Sequence, residues 1–312
     1  MLRLILIAAA LALGTAASAQ PRIGVLSFPQ ITEAVKRDFS AALREEGFIE
    51  GKNVRIEWRS ADGRVDRAKE AAQELVRLRV DVIVAMLTPA VQAARDATNK
   101  IPIVMAASGA AHLFVQNLAR PGGNITGVAG FGTELSGKRI ELAQELLPGA
   151  KRIGLLINSS DPFAKSFVGE SREAAARRGV ELVIADVKRP EEVDAAYASL
   201  KKSGAAMVIV QGVLTSPAWQ GATLAIKHGL PTISFAATWA PAGGLINYSG
   251  TTLETYRRAA SFVKRIVDGA KAAELPVERP TRTELIVNLK TAKALNLEIP
   301  KSILLRADAL IE

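Results

Sequence analysis

Asp81-Val82-Ile83-Val84-Ala85-Met86-Leu87-Thr88-Pro89-Ala90-Val91-Gln92-Ala93-Ala94-Arg95-Asp96-Ala97-Thr98 reads as a strand running directly into a helix. Val82 to Met86 is a short, unbroken apolar run, the pattern of a strand covered on both faces in a parallel sheet. Thr88 offers a side-chain oxygen at an N-cap, and Pro89 fits the first helical position, where its missing N–H costs nothing. From Ala90 onward the period becomes helical, with Val91 and Ala94 on one face and Gln92, Arg95 and Asp96 elsewhere. A strand that turns straight into a helix leaves free backbone N–H groups at the carboxyl edge of a sheet. Open α/β folds bind ligands, often anionic ones, at that edge.

The same alternation extends on both sides. Ile23-Gly24-Val25-Leu26 is a strand, Ile31 to Glu46 a helix stopped by Gly47, Val54 to Trp58 a strand and Val65 to Leu78 a helix. Beyond the central stretch come the strand Ile103-Val104-Met105, a short helix from Ala111 to Ala119, the turn Pro121-Gly122-Gly123-Asn124 and the strand Ile125 to Val128. Strands alternating with helices predict a doubly wound parallel sheet.

The second half repeats this plan. Arg22-Ile23-Gly24-Val25-Leu26 returns as Arg152-Ile153-Gly154-Leu155-Leu156, and Ile101-Pro102-Ile103 as Leu230-Pro231-Thr232-Ile233. Val82-Ile83-Val84 followed by Leu87-Thr88-Pro89-Ala90 returns as Val208-Ile209-Val210 followed by Leu214-Thr215-Ser216-Pro217-Ala218. Three matches in the same order imply two lobes built alike. Each lobe then presents a capped helix start, at Thr88-Pro89 and at Thr215-Ser216-Pro217, to one cleft between them, where a small ligand is expected. Farther on, Leu245 to Tyr248 is strand-like, Leu253 to Val267 an amphipathic helix, Thr283 to Val287 a strand, Leu289 to Leu295 a helix and Ile303-Leu304-Leu305 a last short strand. These trailing elements predict a chain that crosses between the lobes more than once. The lobes are placed at residues 20–129 with 250–280 and at 130–249 with 281–312.

Residues 1–19 read as a secretory signal: Arg3 starts it, Leu4 to Ala12 form its apolar core, and Ala17-Ser18-Ala19 the cleavage site. That core is shorter than the roughly 20 residues a bilayer span needs, so an exported protein of the periplasm is expected. The chain has no cysteine, which excludes disulfides, thiol catalysis, thiolate metal sites and a lipid-modified cysteine. Its formal charge is +9, but the basic residues come singly or in pairs such as Lys36-Arg37 and Arg257-Arg258. With no basic run and no basic–aromatic alternation, nucleic acid is not an expected partner.

Catalytic patterns fail one by one. Gly132-Thr133-Glu134-Leu135-Ser136-Gly137-Lys138-Arg139 approaches a phosphate loop, but Arg139 stands where Ser or Thr must hold magnesium. No G-x-G-x-x-G opens the first helix, and no G-x-S-x-G elbow supplies a nucleophile. Of the two histidines, His228 closes a helix at Lys227-His228-Gly229 and His112 lies near a helix start without an acidic neighbour. No catalytic residue, cofactor or metal is therefore expected. Phe28, Phe235, Trp239 and Tyr248 sit at strand ends, where rings either sandwich a flat ligand or fill the core; Trp58, within a strand, reads as core.

On these residues the chain resembles the exported substrate-binding proteins of ABC transporters, in the family that includes binders of tryptophan and other aromatic amino acids. The marks are Glu46-Gly47-Phe48-Ile49-Glu50-Gly51-Lys52-Asn53-Val54, Leu118 to Gly127, Glu134-Leu135-Ser136-Gly137-Lys138, Ala242-Gly243-Gly244-Leu245 and Asn288 to Leu295, spread over nearly the whole chain. The resemblance implies a type I periplasmic-binding-protein fold: α/β, two doubly wound parallel-sheet lobes joined by a multi-segment hinge. It also implies a monomer that delivers a small molecule to a membrane permease and its ATPase, without catalysis. The Thr88-Pro89-Ala90 turn falls where such proteins contact ligand, and Ser108, Asn158 and Gln211 occupy comparable strand ends. With Ser27, Phe28, Thr238 and Tyr248 they form the candidate ligand-binding set.

The departures point to the ligand. The family often reads Ser-Asp-Pro where Ser108-Gly109-Ala110 stands, Asp at Gly212, and charged residues at Ala237 and Thr238. Without those acids a buried ammonium lacks its partner, so the expected ligand is a carboxylate or mainly apolar molecule without an amino group, unless Asp161 or Glu134 supplies the charge. Three alternatives stay open: an amino-acid binder of the same fold, a sensing module for a membrane receptor, and an exported enzyme.

Overall fold

The computed structural model describes residues 20–131, 135–236 and 238–312. The signal read at residues 1–19, and Glu134 and Ala237, lie outside them. The first lobe is laid down as β1 (Arg22–Ser27), α1 (Glu33–Glu45), β2 (Arg55–Ser60), α2 (Val65–Arg77), β3 (Val82–Met86), α3 (Thr88–Ala97), β4 (Ile103–Ser108) and β5 (Ile125–Ala129). Its strands pair in parallel in the order β2-β1-β3-β4-β5. β3 lies at the centre and is buried along its whole length, which is what an unbroken apolar run requires.

The second lobe begins with α4 (Ser136–Leu146), β6 (Arg152–Ile157), α5 (Ala164–Arg177), β7 (Glu181–Asp186), α6 (Val193–Lys202), β8 (Val208–Val210), α7 (Gly221–Lys227), β9 (Thr232–Ser234) and β10 (Ile246–Gly250). The chain then returns: α8 (Thr252–Val267) packs Ala259, Ala260, Phe262 and Val263 against Val25, Val84 and Val104 of the first sheet. A last crossing adds β11 (Thr283–Asn288), α9 (Leu289–Ala294), α10 (Lys301–Leu304) and β12 (Ala309–Ile311) to the second sheet. That sheet runs β12-β11-β10-β9-β8-β6-β7. The chain thus passes between lobes after β5, after β10 and before β11.

Three local expectations are corrected. The second sheet is mixed rather than purely parallel, because β11 pairs antiparallel with β10. The segment read as a helix from Ala111 to Ala119 is only a 3-10 turn over Ala111–Leu113. Asn117 captures the Ala119 N–H with its side chain at 2.7 Å, the local competition by which Asn breaks helices. Ile303 to Leu305, read as a strand, belongs to α10 and its cap: Pro300 sets the first turn, with the Ile303 N–H donating to Pro300 O at 2.9 Å. Leu305 is left 87% exposed, so the apolar triplet was no buried strand.

The apolar core joins both lobes. Leu26, Phe28 and Ala61 of the first share one cluster with Leu156, Tyr197, Leu214 and Trp219 of the second. The lobes are therefore packed against one another, with a cavity at their seam.

Candidate functional site

The cavity measures about 590 Å³ and lies at the carboxyl ends of both sheets. The first lobe contributes Ser27 at the end of β1, Leu87 and Thr88 after β3, Ala107 and Gly109 at the end of β4, and Phe131 after β5. The second contributes Asp161 and Phe163 after β6, Gly212, Val213 and Thr215 to Pro217 after β8, and Phe235 after β9. A second depression of about 730 Å³ opens at the opposite strand ends of the first lobe, around Asp81, Lys100, Asn124 and Lys271, away from the seam.

The turn after β3 differs from its sequence reading. α3 starts at Thr88, so Thr88 is not the N-cap; Leu87 is, with φ +70° and ψ 161°. That conformation is almost reserved for glycine and costs about 1–3 kcal/mol, the kind of local strain that gathers at ligand sites. The strained turn swings the Thr88 hydroxyl onto Ser108 Oγ, 3.3 Å away. The second lobe departs further. Thr215-Ser216-Pro217 does not open an α-helix; two 3-10 turns, Gly212–Thr215 and Pro217–Trp219, intervene before α7. Thr215 donates its hydroxyl to Gly212 O at 2.7 Å instead.

Of the ten residues singled out from the sequence, Ser27, Thr88 and Thr238 line the cavity. The others stand behind it. Phe28 is core, 1% exposed, and Pro89 and Ala90 are buried on the inner face of α3. Tyr248 packs on the second lobe's core, and its carbonyl accepts from Arg139 Nε at 3.3 Å. Ser108 supports Thr88 as described. Asn158 and Gln211 form a relay: the Asn158 N–H donates to Gln211 Oε1 at 2.7 Å, and Gln211 Nε2 donates to Asp161 Oδ2 at 2.7 Å. These two strand-end residues aim a carboxylate rather than face the cavity themselves.

Asp161 and Arg139, absent from the candidate set, are the charged groups of greatest consequence here. Asp161 is 4% exposed and lines the cavity, with Oδ1 accepting the Phe163 N–H at 3.0 Å. Burial raises its pKa to about 6 against the pull of these hydrogen bonds. Arg139, on α4, is 1% exposed and also lines the cavity. Its guanidinium stacks on Phe235 at 4.7 Å, and Nη1 has no hydrogen-bond partner. Burial lowers its pKa to about 9, which leaves it charged at neutral pH. Among the described residues neither group forms a salt bridge, although a buried charge demands a counter-charge. Asp161, one of the two acids left open in the sequence as a partner for an ammonium, does line the cavity. The sequence did carry signals: Arg139 was the residue that spoiled the phosphate-loop pattern, and Asp161 precedes Pro162 just past a strand end.

Aromatic rings supply the rest of the wall. Phe163 meets Phe235 edge-on, centroids 6.0 Å apart, and Phe131 faces them from beyond β5. The histidines take no part: His228 pairs with Asp194 at 2.7 Å on the outer face of the second lobe.

Residues 23–311 match the family model described as ABC transporter substrate binding protein. The chain belongs to that family. Members of the ABC transporter substrate-binding family bind a solute and do not transform it. A curated relative from Clostridioides difficile, named tyrosine-binding protein, is 28% identical over 286 residues, covering 89% of this chain and 82% of its own. A solved ABC domain from Streptococcus pneumoniae in complex with L-Trp is 26% identical. It covers 93% of this chain and all of its own, with a TM-score of 0.80. The ligand-free, open structure of a substrate-binding protein with adhesive properties from Clostridium difficile is 25% identical, covering 94% and 99%, with a TM-score of 0.64. At similar identity, this substrate-binding protein superposes better on the ligand-bound neighbour than on the open one.

Proposed function

We propose that this substrate-binding protein captures an α-amino acid with an apolar, aromatic side chain and presents it to an ABC permease. The observation that carries the reading is the pair of buried opposite charges on one cavity, neither of which forms a salt bridge among the described residues. Arg139 takes the ligand carboxylate, helped by the backbone N–H groups at the start of α3. Asp161, held by Gln211 and Phe163, takes the ammonium. Phe131, Phe163 and Phe235 surround the side chain. The names of the tyrosine-binding relative and the L-Trp complex point the same way. In this reading the protein works as a monomer in the periplasm. The lobes at 20–129 with 250–280 and 130–249 with 281–312 move as rigid bodies, closure selects the form the permease and its ATPase engage, and no cofactor takes part.

Calorimetry against L-phenylalanine, 3-phenylpropionate and phenethylamine tests it. L-phenylalanine is expected to bind, and loss of either charged group to weaken binding by about 100-fold or more, because a buried polar partner is left unpaired. Equal affinity for 3-phenylpropionate removes the role of Asp161 and restores an amine-free acid as the ligand. No heat from any of the three overturns the ligand class.

A further inference from the structure

The lobes also meet beside the cavity, where an indole ring lies against bare backbone. Gly63 follows β2 in a loop tied to the first lobe's cavity edge: its N–H donates to Phe28 O at 2.7 Å, and the Ala61 N–H to Ser27 O at 2.9 Å. Trp219 ends the 3-10 turn Pro217–Trp219 of the second lobe. Its side chain is 2% exposed and packs in the cluster shared with Phe28 and Ala61. A Cβ at Gly63 would lie 2.6 Å from Trp219 Nε1, so only glycine admits the ring. Phe163 is seated in the same way on Gly109, where a Cβ would lie 2.9 Å from the ring. Each of two cavity-lining turns of the second lobe thus carries an aromatic ring that rests on a glycine of the first.

Phe163 and Gly109 line the cavity, whereas Trp219 and Gly63 do not. Ser216 and Pro217, three and two residues before Trp219, do line it, so the seat is coupled to the ligand without touching it. Trp219 Nε1 is buried with no acceptor, a group that water would satisfy once the lobes part. Apolar burial of the indole therefore opposes the desolvation of its N–H. Such a contact is weakly favourable by itself, so it populates the closed form without ligand and leaves ligand to complete the shift.

We propose that Trp219 is a positioning residue for ligand capture, an interlobe latch whose indole seats on the Gly63 backbone when the lobes close. It sets the closed-state population, and through it the affinity, since observed affinity scales with the fraction of molecules in the competent form. The probe, L-phenylalanine, rests on the function proposed above.

The test uses Gly63→Ala, Trp219→Ala and Trp219→Phe, with affinity and dissociation rate for L-phenylalanine, melting of the ligand-free protein, and hydroxyl-radical footprinting of Trp219. Gly63 has φ +79°, so alanine also strains its loop, and the two Trp219 variants are the control for that. Gly63→Ala and Trp219→Ala are expected to weaken binding about tenfold, mostly through faster dissociation, with Trp219→Phe restoring most of the loss. Trp219 is expected to be oxidised several-fold more in Gly63→Ala than in the wild type. A purely structural role lowers the melting temperature but leaves the affinity and dissociation rate of the folded protein unchanged; that result overturns the latch. If the wild type ignores L-phenylalanine, the ligand reading fails and footprinting of ligand-free protein decides the latch. Greater oxidation of Trp219 in Gly63→Ala supports it, and equal oxidation overturns it.

Discussion

Asp161 sets binding against stability within one side chain. Burial raises its carboxyl to about 6, whereas an unfolded Asp titrates near 3.8. The folded state therefore holds this proton more tightly. Its contribution to stability is fully present below about pH 4 and is lost as pH rises through about 6, a difference of about 3 kcal/mol. Asp161→Asn is expected to raise the stability of the ligand-free protein at pH 7 by about 2–3 kcal/mol, read by urea unfolding, while weakening amino-acid binding by about 100-fold or more. An ammonium ligand prefers the ionised carboxylate. Affinity for L-phenylalanine should thus fall up to about tenfold per pH unit below about 6 in the wild type, measured by calorimetry across pH 4.5 to 8. The sequence marked Asn158 and Gln211 at the right strand ends. It did not reveal that the Gln211 amide bridges the Asn158 backbone N–H and the Asp161 carboxylate, because Gln211 lies about fifty positions from both.

Among elements, the crossing between α8 and β11 has its own fastening. Glu254, in the first turn of α8, accepts the N–H groups of Thr281 at 3.0 Å and Arg282 at 3.2 Å, and pairs with Arg258 at 2.8 Å. Burial would raise its pKa, but these donors outweigh burial and hold it at about 2. The stabilisation is present above pH 4.5 and fades as pH falls towards 2. Glu254→Gln is expected to cost about 2–3 kcal/mol at pH 7, and the gap to the wild type should close near pH 2. Urea unfolding at the two pH values checks this. Helix and strand positions were legible from their periods, yet the start of α3 was misplaced by one residue. Thr88 matched an N-cap by residue type, while the actual cap, Leu87, sits at a φ that no propensity argument assigns to leucine. Contacts to the neighbouring β4 hold that turn: the Leu87 N–H donates to Ala106 O at 3.0 Å, and Thr88 Oγ1 meets Ser108 Oγ.

At the scale of the whole molecule, the proposed function requires the two lobes to close on their ligand about the three chain crossings. Small-angle scattering should show a smaller radius of gyration with saturating L-phenylalanine than without it, and no change with phenethylamine. Ligand at a hundred times its dissociation constant should stabilise the fold by about 2.7 kcal/mol, visible as a rise in melting temperature. By itself the sequence determined the alternating α/β plan, the internal repeat, the multiple crossing and the family, since apolar period, turn residues and motif spacing are local properties of the chain. Only the tertiary structure decided which strand-end residues face the cavity, that Arg139 and Asp161 share it without a salt bridge among the described residues, and that Trp219 rests on Gly63. Burial and electrostatic pairing arise between segments distant in sequence, where local patterning carries no information.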